Sequence, residues 1–269
     1  MNKLEELKKL KEQLKIEVNG LENYPTDEPN IVVSNHNCLM DIFYVPMILP
    51  EEVVSLISSR LVYKKDYERR YVVNKYLNSM PIEAHGGSIY SSMCLRYATD
   101  LLCNKISLNI FPEGAYVEEN NIYRGRTGAS RILFDAKKNG TNANLVPIAI
   151  DIDSSRVDMD SYTPIDGKVV INILKPVKYD DSFYQYINSN DRDEKNKLLH
   201  MPVDECMQKI AKSLRRNYVN EYIELRPKNS VMFSDGTTIS TGDAQDIYSI
   251  CKYMKGLEDR SKKILKIIK

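Results

Sequence analysis

Two apolar runs, Ile31-Val32-Val33 and residues 42–49, flank the polar octet Ser34-Asn35-His36-Asn37-Cys38-Leu39-Met40-Asp41. The runs read as a buried strand followed by a helix, so a His and an Asp interrupt what should be core. Burying such groups is unfavourable unless each finds a partner, which marks the octet as a place where the fold must supply compensation. His36 and Asp41 are five positions apart, roughly 140° around a continuous helix, and meet only if the chain turns between them. A loop running into a helix N-terminus achieves that. An Asp that accepts a hydrogen bond from one imidazole nitrogen fixes the tautomer and leaves the other nitrogen to take a proton from a hydroxyl. A structural His beside a strand is the competing reading.

The rest of the chain alternates strands and helices. Strands are predicted at 31–33, 53–57, 80–82, 106–111, 145–150 and 169–174, and helices from Asp41 to Pro50, up to about Cys103 and over 128–138, the last closed by Asn139-Gly140. Residues 60–79 are charged and tyrosine-rich and suggest a surface helix or two, and Gly86-Gly87-Ser88 a turn or helix start. This is an α/β pattern: a single sheet flanked by helices, with a mainly helical C-terminal extension. Leu4, Leu7, Leu10 and Leu14 predict an amphipathic helix that Asn19-Gly20 ends. Further helices are predicted from Val203 to about Glu224 and from Asp243 onward, joined by a loop over 226–230. The expected division is 1–27, N-terminal helix and connection; 28–178, α/β domain; 179–269, C-terminal extension.

Charge and cysteines narrow the function classes. With 38 basic and 37 acidic residues, no overall field recruits nucleic acid. The five cysteines form no Cys-x-x-Cys pair and the three histidines are dispersed, which argues against a zinc site, a disulfide framework or a metal-dependent hydrolase. No apolar run approaches the ~18 residues of a spanning helix. The expected location is the cytoplasm, with at most a peripheral contact on the inner face of a membrane. The basic C-terminus, with Arg260, Lys262, Lys263, Lys266 and Lys269 among Ile264, Leu265, Ile267 and Ile268, reads as a packed helix with a solvated face or as a membrane-surface tail.

A second polar feature, Phe111-Pro112-Glu113-Gly114, follows a predicted buried strand, where α/β sheets place ligands. Asn35-His36 with Asp41, then Phe111-Pro112-Glu113-Gly114, then Arg126-Thr127-Gly128-Ala129 and Val146-Pro147 resemble, in order and spacing, the lysophospholipid acyltransferase family, the 1-acylglycerol-3-phosphate acyltransferases and their relatives. The resemblance covers roughly residues 28–178. It implies that His36 is the general base for an acceptor hydroxyl attacking an acyl thioester, that Asp41 orients it, and that Glu113, Gly114, Arg126 and Asn35 serve the acceptor. It implies no cofactor, no metal and no covalent acyl-enzyme. The partners are a donor, acyl-CoA or acyl-carrier protein, and a lipid-like or small-molecule hydroxyl acceptor. Cys38 is then a bystander.

One block departs from the family. Where a phosphate-binding Arg or Lys is usual, the chain has Met80-Pro81-Ile82-Glu83-Ala84-His85, and a neutral imidazole is a poor substitute for a guanidinium. Arg124, Arg126 and Arg131 are the downstream sources of charge. Three readings follow: a lysophospholipid-like acceptor, a non-phosphate acceptor (amino-lipid, glycolipid or specialised metabolite), or a silent module that binds a lipid or carrier protein. If the missing charge limits phosphate use, Ala84→Arg or His85→Arg improves turnover of a phosphorylated acceptor; no gain from either in a thiol-release assay shifts phosphate binding to the downstream arginines.

Overall fold

The computed structural model describes residues 5, 7, 8, 11, 14–63, 73–83, 89–115, 117, 120–152, 157, 158, 163, 164, 168–223, 230–240 and 247–268. Its centre is a seven-stranded sheet built from β1 (Lys15–Asn19), β2 (Asn30–Ser34), β3 (Val53–Ser58), β4 (Asn78–Ile82), β5 (Ser107–Ile110), β7 (Asn144–Asp151) and β10 (Lys168–Ile173). The strand order is β1-β10-β7-β2-β5-β3-β4. Outside it, β6 (Asn121–Tyr123) pairs with β11 (Asn217–Val219), β8 (Val157–Asp158) with β9 (Thr163–Pro164), and β12 (Ser230–Met232) with β13 (Thr238–Ser240). The block from β7 to β4 is parallel, whereas β10 runs antiparallel to β7 and carries β1 parallel to itself on the outer edge.

Parallel neighbours require crossovers, and helices supply them. They are α1 (Asp41–Ile48) between β2 and β3, α2 (Ser59–Tyr63) between β3 and β4, α3 (Ile89–Cys103) between β4 and β5, and α4 (Gly128–Lys138) between β5 and β7. Alternation along each strand feeds two cores. Ile31, Val33, Leu108 and Leu145 enter one with α3 and α4; Val32, Val146, Ile148 and Ile150 enter the other with α1.

The C-terminal third adds α5 (Asp180–Asn188), α6 (Arg192–Leu214) and α7 (Ile247–Ile268). Val203, Cys206, Met207 and Ile210 of α6, and Tyr253, Leu257 and Ile264 of α7, are buried in the same core as α3 and α4. Ile264 of the basic C-terminal helix therefore faces the protein, whereas Ile267 is exposed. Among the described residues no helix is long and apolar enough to cross a membrane.

Three expectations about local structure need correction. Lys15–Asn19, predicted as the end of a helix, is β1; its alternating exposed and half-buried residues have a period of two, and β10 provides the pairing edge. The helix predicted from Val203 begins eleven residues earlier, where Asp191 caps the backbone N–H of Glu194 at 2.6 Å, and Pro202 lies inside it. It also ends earlier, at Leu214, because Arg215 adopts a left-handed conformation with φ 56°. The next residues form β11 (Asn217–Val219), parallel to the short β6 (Asn121–Tyr123). Leu4 and Leu10, the Gly86-Gly87-Ser88 turn and residues 226–229 of the predicted loop lie outside the described residues, while Ser230 opens the strand Ser230–Met232.

Burial of α6 in the main core carries a measurable consequence. Ile210→Ala removes a fully buried side chain and is expected to cost about 2–5 kcal/mol in denaturant unfolding, with one cooperative transition. A cost near zero, or a separate early transition, would mean that α6 is not part of the core.

Candidate active site

At the carboxyl end of β2 the backbone turns, and the turn is organised by one carboxylate. Asp41, the first residue of α1 and 0% exposed, accepts hydrogen bonds at Oδ2 from the backbone N–H groups of Asn37 (2.5 Å) and Cys38 (2.9 Å). The same oxygen lies 3.1 Å from His36 Nδ1, and the Cys38 thiol donates to Oδ1 at 3.6 Å. The His and Asp therefore meet through a loop, as the spacing requires. A proton on Nδ1 directed at Asp41 leaves Nε2 as the acceptor nitrogen of the ring. The imidazole is 13% exposed and stacks on Phe111 with centroids 4.4 Å apart. Burial pushes the Cys38 thiol far above its ordinary range, with the Asp41 charge adding to the effect, so Cys38 is a protonated donor and not a nucleophile.

Asn35 anchors the loop to the sheet. Its Nδ2 donates to the Ile150 carbonyl at 2.9 Å and its Oδ1 accepts the Ile150 N–H at 2.8 Å, so a side chain extends the β2–β7 ladder after the backbone has turned away. Both amide ends are engaged by main chain.

Glu113 braces the site from β5. It is 1% exposed; Oε2 accepts the His36 N–H at 3.0 Å and Oε1 accepts the Tyr123 N–H at 2.9 Å. Burial pushes its pKa up to about 7, against the lowering effect of those two bonds and of the Arg216 charge; Asp41 raises it further. Both carboxylate oxygens of Glu113 are thus engaged by backbone N–H groups. Gly114 turns the chain at φ 82°, where a side chain would be strained, and the Val117 N–H returns to the His36 carbonyl at 2.7 Å.

The arginines divide by role. Arg124 forms a two-pronged pair with Asp204 of α6, at 3.1 and 2.8 Å, and is a tether. Arg131 is exposed and bonds Thr127. Arg126 is joined to the Pro112 carbonyl through its backbone N–H at 2.8 Å, its guanidinium lies 5.1 Å from the Tyr222 ring centre, and its buried Nε has no hydrogen-bond partner among the described residues. Burial lowers its pKa from the usual guanidinium value. Ala84 and His85 lie outside the described residues.

His36, Asp41, Asn35 and Glu113 are thus linked into one site, with Gly114 on the Glu113 turn and Arg126 joined to that turn through the Pro112 carbonyl. Sequence reasoning missed Gly125, Arg216, Tyr222 and the Tyr123 N–H. A Cβ on Gly125 would lie 2.4 Å from Val203 Cγ1 and 3.1 Å from Pro112 Cβ, so only glycine lets α6 approach the Phe111–Gly114 turn this closely. A glycine between two arginines was the available signal. Arg216 and Tyr222 carried none, because chain folding alone brings them here.

The family model described as Acyltransferase matches residues 15–151, just over half of the chain and the span from β1 through β7. None of the curated proteins matches the chain. Among solved structures, the chain resembles the crystal structure of the 1-acyl-sn-glycerophosphate (LPA) acyltransferase, PlsC, from Thermotoga maritima. The TM-score is 0.53 and the sequence identity 21%, over 77% of this chain and 79% of that one. At that identity the likeness is one of fold.

The Glu113 environment sets a pH-dependent stability. Its folded pKa of about 7 lies above the ordinary 4.5, so its contribution is fully present below about pH 4.5 and lost as pH rises through about 7. The span corresponds to a loss on the order of 3 kcal/mol. Glu113→Gln cannot ionise, so the melting temperature of the variant minus that of wild type is expected to become more positive between pH 4.5 and pH 8. A difference that stays flat would show that Glu113 does not titrate in that window.

Proposed function

The chain belongs to the acyltransferase family and is an O-acyltransferase, and from that premise we propose that His36, oriented by Asp41, is the general base of transfer from an acyl thioester to an acceptor hydroxyl. Nε2 takes the hydroxyl proton as the oxygen attacks the thioester carbonyl carbon. A C–O ester bond forms, the C–S bond breaks, and the proton passes from His36 to the departing thiolate. The donor is an acyl-CoA or acyl-carrier-protein thioester. The observation that carries this reading is the buried Asp41 carboxylate facing His36 Nδ1 at 3.1 Å while two backbone N–H groups fix it in place.

The acceptor we propose is a lysophospholipid-like alcohol of the glycerophosphate type. The match to the acyltransferase family supports it, as does the fold shared with a protein whose name specifies 1-acyl-sn-glycerophosphate. Arg126 supplies positive charge to that acceptor, Gly114 lets it approach the backbone, and Glu113 and Asn35 keep the surrounding loops in place. A lipid acceptor brings the enzyme to the inner face of a membrane as a peripheral protein. A specific pair of observations favours a second reading, an acceptor without phosphate: the chain has no Arg or Lys at 80–85, and Arg124 is committed to Asp204.

Free-thiol release from palmitoyl-CoA, with lysophosphatidate or with monoacylglycerol as acceptor, tests both. His36→Ala and Asp41→Asn are expected to lower acceptor-dependent release by roughly 10²- to 10⁴-fold. Arg126→Ala is expected to raise KM for lysophosphatidate and not for monoacylglycerol. Release that survives His36→Ala overturns the mechanism, and preference for monoacylglycerol selects the second acceptor.

A further inference from the structure

Arg216 lies beyond the matched residues 15–151, in the C-terminal third, yet its guanidinium reaches the loop that carries His36. We infer that Arg216 is a positioning residue for the base: it clamps Asn37, and through Asn37 the Asp41 carboxylate, so that Asp41 stays aimed at His36. The inference rests on the proposed role of His36.

The geometry begins with Asn37, which sits between sheet and carboxylate. Its Oδ1 accepts from Arg216 Nη1 at 2.8 Å, its Nδ2 donates to the Ile150 carbonyl at 3.1 Å, and its backbone N–H makes the 2.5 Å bond to Asp41 Oδ2. Both ends of the side-chain amide are thus tied to the end of β7, by Ile150 directly and by Arg216, while the backbone N–H points at Asp41.

Arg216 in turn is anchored elsewhere. Nη2 donates to the Ile152 carbonyl at 3.1 Å and to Asp151 Oδ1 at 3.3 Å, at the end of β7. The side chain is 8% exposed, while Asp151 is 53% exposed. A guanidinium this buried needs its donors matched. Here its shortest bond goes to a neutral amide on the base loop, and the longest to the carboxylate. A purely electrostatic anchor would have the opposite order.

Backbone structure aims the side chain. Arg215 is left-handed, the Arg216 N–H caps α6 at the Ala211 carbonyl at 2.9 Å, and the following β11 pairs with β6, whose Tyr123 N–H holds Glu113. The end of α6 therefore fixes both halves of the site: the base loop through Arg216 and the Glu113 turn through β6.

The test pairs kinetics with a readout that needs no substrate. Arg216→Met keeps the stem and removes the fork; with palmitoyl-CoA and lysophosphatidate it is expected to lower kcat by about 10- to 100-fold, with KM held within about threefold, the size of effect a misplacement of ~1 Å produces. Asn37→Ala should act similarly, and the double variant should be no more than about threefold below the weaker single, because both remove one linkage. The proton on His36 Nδ1 should give a low-field NMR signal, assigned by its loss in His36→Gln, and should exchange with water about tenfold or more faster in Arg216→Met. Should Arg216→Met fail to fold, Arg216→Lys keeps the charge but cannot grip Asn37 and Ile152 together, and a loss of about three- to tenfold in kcat is expected. Unchanged kcat and exchange in the Arg216 variant, or single effects that multiply in the double, overturn the inference. Activity that persists in His36→Ala overturns the proposed function instead, and the NMR comparison then decides whether Arg216 positions the pair.

Discussion

The carboxylate of Asp41 is completely buried, and a buried charge persists only where fixed dipoles replace the water it has lost. Here two backbone N–H groups, a thiol and an imidazole surround it, at the first residue of α1 where the helix dipole favours negative charge. Each donor is local in sequence, within five residues. Satisfying the charge therefore dictates the shape of the 34–41 turn, and that shape sets the His36 ring over Phe111.

The local turn would still be free to tilt on the sheet without long-range braces. Asn35 pins it to β7 through Ile150, Glu113 pins the His36 backbone to the β5 turn, and Arg216 pins Asn37 to the end of β7. Glu113 shows two opposing effects in one residue. Its two backbone donors favour the ionised form, burial disfavours it more, and the balance leaves a carboxyl that titrates near neutrality inside the protein. The brace that holds the His36 loop is thus itself sensitive to pH.

Much of the parallel sheet was legible in the sequence. Ile31-Val32-Val33 and residues 145–150 are apolar runs bounded by polar or turn residues, as strands buried on both faces must look, and residues 106–111 alternate Ile, Leu and Ile with Ser and Asn. The His36–Asp41 turn was legible for the same kind of reason, since its donors and acceptor are neighbours in the chain. Lys15–Asn19 was not: five residues of alternating polarity following leucines at helical spacing are ambiguous until an edge strand offers them a partner. Nor were β6 and β11, three residues each, which exist because α6 brings them side by side.

The arginines expected to supply charge near the site were read from the same stretch of sequence, but they play different parts in space. Arg124 looked like available charge and is tied to Asp204, whereas Arg126 lies against Tyr222, a residue almost a hundred positions later. The sequence by itself determined the α/β class, the turn that joins His36 to Asp41 and the family, because periodicity, capping and the fit of a carboxylate to nearby N–H groups are local properties. Only the tertiary structure decided that the C-terminal third belongs to the core and sends Arg216 to Asn37 in the His36 loop, because burial and charge pairing depend on which distant surfaces meet.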